Sequence, residues 1–111
     1  MKVPNFEQAI IPKEKLTDYL LSQFHPVGRF KAVYFKQLGY TSEDWKNFEK
    51  DIRSLLENDV VNILETEFGT KFEVQGQLKG PYGTNATVVT VWVILKGEDF
   101  ARFVTAYPGE K

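Results

Sequence analysis

The segment FHPVGRFKA, residues 24–32, carries the chain's single histidine together with a proline, a glycine, an arginine and a lysine. A histidine close to lysine and arginine is a set that can move protons and neutralise phosphate charge. His25 precedes Pro26, which biases it away from helical dihedrals and makes it the capping residue of a helix whose first position is Pro26. The start of such a helix presents backbone N–H groups near Val27 and Gly28, with Arg29 alongside, at the positive end of the dipole where anions gather. On a wheel of about 100° per residue, Val33, Phe30, Tyr34, Leu38 and Phe35 form an apolar arc. Lys31 falls inside that arc, whereas Arg29 and Lys36 fall on the polar side. A lysine in an apolar stripe snorkels, pairs with a carboxylate or lines a cleft.

A second group lies near the C-terminus. ARFVTAYP alternates Arg102, Val104 and Ala106 on one face with Phe103, Thr105 and Tyr107 on the other. Arg102 suits a phosphate, and the hydroxyls of Thr105 and Tyr107 suit a polar ligand. The same residues also have a purely architectural reading: His25 caps, Gly28 permits close packing, Lys31 snorkels, Arg102 is a surface charge, and Thr and Tyr are ordinary strand formers. Convergence of His25, Lys31, Arg102 and Thr105 in one cleft favours an enzyme, and their dispersal favours an interaction module.

Other chemistries find no residues. With one histidine and no cysteine, zinc and iron sites lack ligands at matched spacing. GQLKGPYG lies between strand-like runs with no helix after it, so it is no phosphate loop. Ser22 and Ser42 sit in no nucleophile-elbow sequence. No cofactor and no metal is therefore expected.

Fifteen acidic residues against fourteen basic ones give a net charge of −1, which argues against an extended nucleic-acid binder and leaves room for a local basic cluster. The absence of cysteine suits a reducing compartment, and no apolar run is long enough to span a bilayer, so a cytoplasmic protein without membrane contact is expected.

The elements that must position these residues follow from periodicity. PKEKLTDYLLSQF places Leu16, Tyr19 and Leu20 at helical spacing, predicting a helix from Pro12 to Gln23. The second helix runs from Pro26 to Leu38, where Gly39 ends it. YTSEDW gives Thr41 and Asp44 the spacing of a capping box and Tyr40 and Trp45 that of a hydrophobic staple, opening a third helix from Ser42 to about Glu57. From Val60 the period becomes two. Phe72, Val74, Gly76 and Leu78 alternate with polar residues, and ATVVTVWVIL, apolar on both faces, belongs at a sheet centre. FGTK, GPYGTN and KGED read as turns. The expected fold is α+β, with N-terminal helices packed on one face of a four-stranded antiparallel β-meander. It forms a single domain over 1–111, helical over 12–58 and sheet over 60–108. Leu16, Leu20, Phe30, Tyr34, Trp45, Phe48, Ile52 and Leu55 are its predicted helical core.

The segments VPN, HPVGRFKAVYFKQLGY, GTKFEVQGQLKGPYG and VWVILKGEDFARFVTAYP together resemble the small bacterial domain-of-unknown-function 6883 family. The layout is more distantly similar to the barnase, EndoU, colicin and RelE class of metal-independent ribonuclease toxins. That resemblance implies catalytic places for His25, Lys31, Arg102, Thr105 and Tyr107, and RNA or another phosphate-bearing ligand as partner. The alternative is a non-enzymatic module of a toxin–antitoxin or immunity pair, bound to a small cognate protein.

Overall fold

The computed structural model describes residues 1–109. An α-turn, α1 (Lys13–Lys15), continues as a π-helical turn over Leu16–Leu20, and α2 (Gly28–Gln37) and α3 (Trp45–Ser54) follow. Four strands come next: β1 (Val60–Glu65), β2 (Gly69–Lys79), β3 (Asn85–Leu95) and β4 (Arg102–Pro108). They pair antiparallel in the order β1-β2-β3-β4, as the meander pattern predicts.

The helices cover one face of this sheet. Phe72, Val74 and Leu78 of β2, Val88 and Trp92 of β3, and Phe103 and Ala106 of β4 point inward. They meet Leu16, Leu20, Phe35, Phe48, Ile52, Leu55 and Leu56, all buried. Tyr34 and Trp45 are half-buried against that core. Val88 to Leu95 lie in an interior strand, and Trp92 is fully enclosed. Its indole N–H donates to the buried Thr90 hydroxyl at 2.8 Å, which in turn donates to the Val74 carbonyl at 3.2 Å.

The helical region departs from expectation at three places. The first helix ends at Leu20, short of Gln23. Helical turns do run from Ser42 to Glu57, but Thr41 makes no side-chain cap bond and the Asp44 carboxylate instead accepts from Asn47 at 2.7 Å. Tyr40 staples onto Phe48 rather than Trp45, with ring centroids 4.8 Å apart, and its hydroxyl donates to Asp51. Phe30, expected in the core, is 67% exposed.

That last difference has a physical cause. The predicted apolar arc of α2 is centred on Tyr34, but the buried residues are Gly28, Ala32, Phe35 and Leu38, so the helix is turned by roughly 100° about its axis. Gly28 explains the turn. A Cβ there would lie 2.0 Å from the Tyr19 carbonyl oxygen, so only glycine lets α2 rest on the π-turn. Gly39, at φ 103°, ends the helix in the left-handed conformation as expected.

The edge strand β4 is irregular. Its register with β3 steps from Val91↔Thr105 to Trp92↔Phe103, leaving Val104 as the extra residue of a bulge. Strict alternation from Arg102 to Tyr107 therefore fails. Phe103 and Ala106 both face the core, and Arg102 and Thr105, expected on opposite faces, share the open one. The N-terminal segment covers the start of this edge: the Ile10 N–H donates to the Ala101 carbonyl at 2.8 Å, and the Phe103 N–H to the Ile10 carbonyl at 2.9 Å. At the far end the Gly109 N–H points inward to the Thr87 carbonyl, so Pro108 occupies an outward position where it offers no donor for further strand pairing.

Candidate functional site

The open sheet face carries cross-strand rows. One row runs Asn62, Glu73, Val91, Thr105 across all four strands, and its neighbour runs Gln75, Val89, Tyr107. At the β4 end of the first row stands Lys31. Its ammonium donates to the Thr105 hydroxyl at 2.8 Å and to the Tyr19 hydroxyl at 3.0 Å, and lies 5.3 Å from the centroid of the Tyr19 ring. Among the described residues no carboxylate pairs with it. The lysine that the sequence places in an apolar arc thus reaches two hydroxyls at the sheet edge, with its stem half-buried.

His25 adjoins this group. Its ring meets that of Tyr19 edge-on with centroids 4.9 Å apart. Its Nδ1 accepts the Val27 N–H at 3.0 Å and the Gly28 N–H at 2.9 Å, and its carbonyl accepts the Arg29 N–H at 3.1 Å. His25 therefore caps the start of α2. The cap has two consequences. With the Nδ1 lone pair engaged, the ring proton resides on Nε2, which is left to donate. The Val27 and Gly28 N–H groups, expected to be open to an anion, are already taken by the imidazole.

Tyr19 is the member that sequence reasoning missed, because its helical spacing with Leu16 and Leu20 marked it only as packing. Burial by itself would raise the pKa of its phenol, but hydrogen bonds with Thr105 and Lys31 and the charges of Lys31 and Lys15 outweigh that effect and lower it. Glu73 was missed too, as one polar residue in an alternating strand. One carboxylate oxygen accepts from the Tyr107 hydroxyl at 3.2 Å and the other from Asn62 at 3.2 Å. Burial, and then the adjacent Glu73 charge, push the Tyr107 phenol up.

The remaining residues are placed differently. Arg102 shares the open face with Thr105, yet its guanidinium is held by Glu98 through Nε at 3.1 Å and Nη2 at 2.8 Å, and packs over Phe100. Arg29 lies over the Phe30 ring at 4.9 Å, on a flank of α2 away from Lys31. Of the seven residues singled out, His25, Gly28, Lys31 and Thr105 form one contact network with Tyr19. Tyr107 and Arg102 lie elsewhere on the same sheet face. Among the described residues no group of three His, Cys, Asp or Glu side chains is placed to hold a metal ion, and no helix is long and apolar enough to cross a membrane.

Comparison with known proteins adds to this geometry. A contact-dependent growth inhibition toxin–immunity protein complex from Klebsiella pneumoniae 342 contains a chain with this fold, at 16% identity and a TM-score of 0.72, covering 90% of this chain and 99% of that one. No curated protein matches the sequence. The family model described as a domain of unknown function, DUF6883, matches residues 2–110, so the protein belongs to that family.

Proposed function

We propose that this protein is a metal-independent RNA-cleaving domain whose site is the β4 end of the open sheet face. The observation that carries the reading is the Lys31 ammonium, held by two hydroxyls and by no carboxylate among the described residues, close to a histidine whose Nδ1 is occupied by backbone N–H groups. Such a cluster offers donors to a phosphate without a metal. Glu73 and Thr105 flank Val91 in one row, two strand spacings or about 10 Å apart, which leaves room for a phosphodiester between a base and an acid.

The chemistry divides among these groups. The Glu73 carboxylate takes the proton of the ribose 2′-hydroxyl, and the 2′-oxygen bonds to phosphorus. The bond from phosphorus to the 5′-oxygen breaks and the leaving oxygen takes the Tyr19 phenol proton; Glu73 then releases its proton to solvent and Tyr19 takes one back, so both groups return to their starting forms. The products are a 2′,3′-cyclic phosphate and a 5′-hydroxyl end. Lys31 and the His25 Nε2–H stabilise charge on the pentacoordinate phosphorus, and Thr105 and Tyr107 position it. Arg102, already paired with Glu98, adds local positive potential only when that pair opens.

The test uses purified protein and short RNA oligonucleotides with a chelator present. Lys31→Met, Tyr19→Phe and Glu73→Gln are each expected to reduce cleavage at least a hundredfold while thermal unfolding stays close to wild type. Cleavage falls at alkaline pH as Tyr19 ionises. Wild-type protein that neither binds nor cuts RNA refutes the reading. A protein-binding role in a toxin–immunity pair, the second reading, is favoured by a separate observation, the apolar residues left exposed on α2.

A further inference from the structure

The turn of α2 that brings Lys31 to Thr105 leaves an apolar strip facing solvent. On α2, Phe30 and Val33 are 67% and 60% exposed, and just before it Phe24 and Val27 are 90% and 56% exposed. Burying a side chain of this size is worth about 1.5–3 kcal/mol, and none of the four takes that gain within the chain. Beside the strip lies a groove of about 560 Å³ between α2 and the 40–43 segment. Leu21, Ala32 and Tyr40 line it, with Phe30 and Val33 along its open side.

The charges on its border choose the occupant. Arg29 and Lys36 stand seven residues, two helical turns, apart on the same flank, about 10 Å along the axis. Neither has a carboxylate partner among the described residues. Glu43 stands across the groove from them. A trough two turns long, with Phe30, Ala32 and Val33 on its α2 side and the Arg29 and Lys36 cations beside them, matches a helix that presents apolar residues at i, i+3, i+4 and i+7 and carboxylates along one edge.

We infer that the groove along α2 is a docking site for an amphipathic helix of a partner protein, with its apolar face on Phe30 and Val33 and its acidic edge on Arg29 and Lys36. The surface is separate from the proposed cleavage site, since Lys31 lies about 100° around the helix from Phe30 and about 160° from Val33. The inference therefore stands whether or not the protein cuts RNA. A partner seated here leaves Lys31 and Thr105 uncovered and tethers the domain without plugging its site.

The probe is a synthetic amphipathic helix with leucines at the four spacings above and glutamates along one flank, set against the same peptide with lysines in place of glutamates. Fluorescence anisotropy is expected to show the glutamate peptide binding at least tenfold more tightly. Phe30→Ser with Val33→Ser removes that binding, Lys31→Met leaves it unchanged, and Arg29→Glu with Lys36→Glu reverses the charge preference. Arg29, Phe30, Val33 and Lys36 are exposed, so thermal unfolding of the variants at these four positions should match wild type and confirm that they fold. Equal binding of both peptides, or binding indifferent to Phe30 and Val33, overturns the inference. So does wild-type self-association in sedimentation that Phe30→Ser abolishes, because the occupant is then a second copy, and so does displacement of the peptide by short RNA.

Discussion

Replacing Gly28 by alanine separates the role of close approach from that of helix propensity, because the two predict opposite signs. Alanine in a helix is favoured over glycine by about 1 kcal/mol, so propensity alone makes Gly28→Ala stabilising. Here the new Cβ would sit 2.0 Å from the Tyr19 carbonyl oxygen, 2.6 Å from its carbon and 2.8 Å from its ring. Two of these three atoms are backbone of the π-turn, so relief requires α2 to retreat by about 1 Å. Overpacking against a rigid neighbour costs about 1–3 kcal/mol, and contact with backbone puts this case at the upper end. The net expectation is a loss of about 2 kcal/mol, or roughly 8 to 12 °C in Tm for a domain of this size. The retreat also draws Lys31 away from Tyr19 and Thr105, so the Tyr19 phenol should titrate closer to the ordinary tyrosine range. Thermal unfolding by circular dichroism gives the first quantity, and ultraviolet titration of tyrosinate, with Tyr19→Phe as reference, gives the second. A Gly28→Ala protein as stable as wild type, with Tyr19 titrating unchanged, refutes the account of how α2 is seated.

Two further outcomes follow from the core. Burial, with the Asp51 hydrogen bond and charge, raises the Tyr40 phenol well above its ordinary value. The stability linked to that group is fully present below the unfolded pKa of about 10 and is lost as pH rises from there toward the folded value. Tyr40→Phe should flatten that alkaline decline in urea unfolding curves, and an unchanged pH dependence would place the sensitivity elsewhere. Thr90→Val keeps the shape of a buried side chain but leaves the Trp92 indole N–H without its acceptor. It should cost about 1–3 kcal/mol by denaturant midpoint, and a neutral result would mean that the indole finds another partner.

Much of the architecture is legible in the chain because it rests on local periodicity. The change from a 3.6 to a 2.0 repeat near Val60, the turn residues of GPYGTN and KGED, and the double-sided apolar run of β3 each follow from short-range pattern. They agree with the observed meander and with Trp92 at its centre. His25 before Pro26 likewise announces a cap, and Nδ1 provides it. Lys31 inside an apolar arc announces that its charge must find a partner. The identity of the partners was not legible, because Tyr19 and Thr105 lie 12 and 74 residues away.

Tertiary structure decided two matters that no wheel or alternation rule contains. Hydrophobicity alone points Phe30 and Val33 inward, but α2 instead buries Ala32, Phe35 and Leu38 and rests on the backbone of the π-turn, which only Gly28 can approach. The helix turns to make that contact, exposing two apolar side chains and delivering Lys31 to the sheet edge. Alternation alone puts Arg102 and Thr105 on opposite faces, but Val104 bulges and brings both to the open face. Periodicity determines which residues belong to an element. Its rotation and register depend on which neighbours it can reach, and those contacts exist only once the chain has folded.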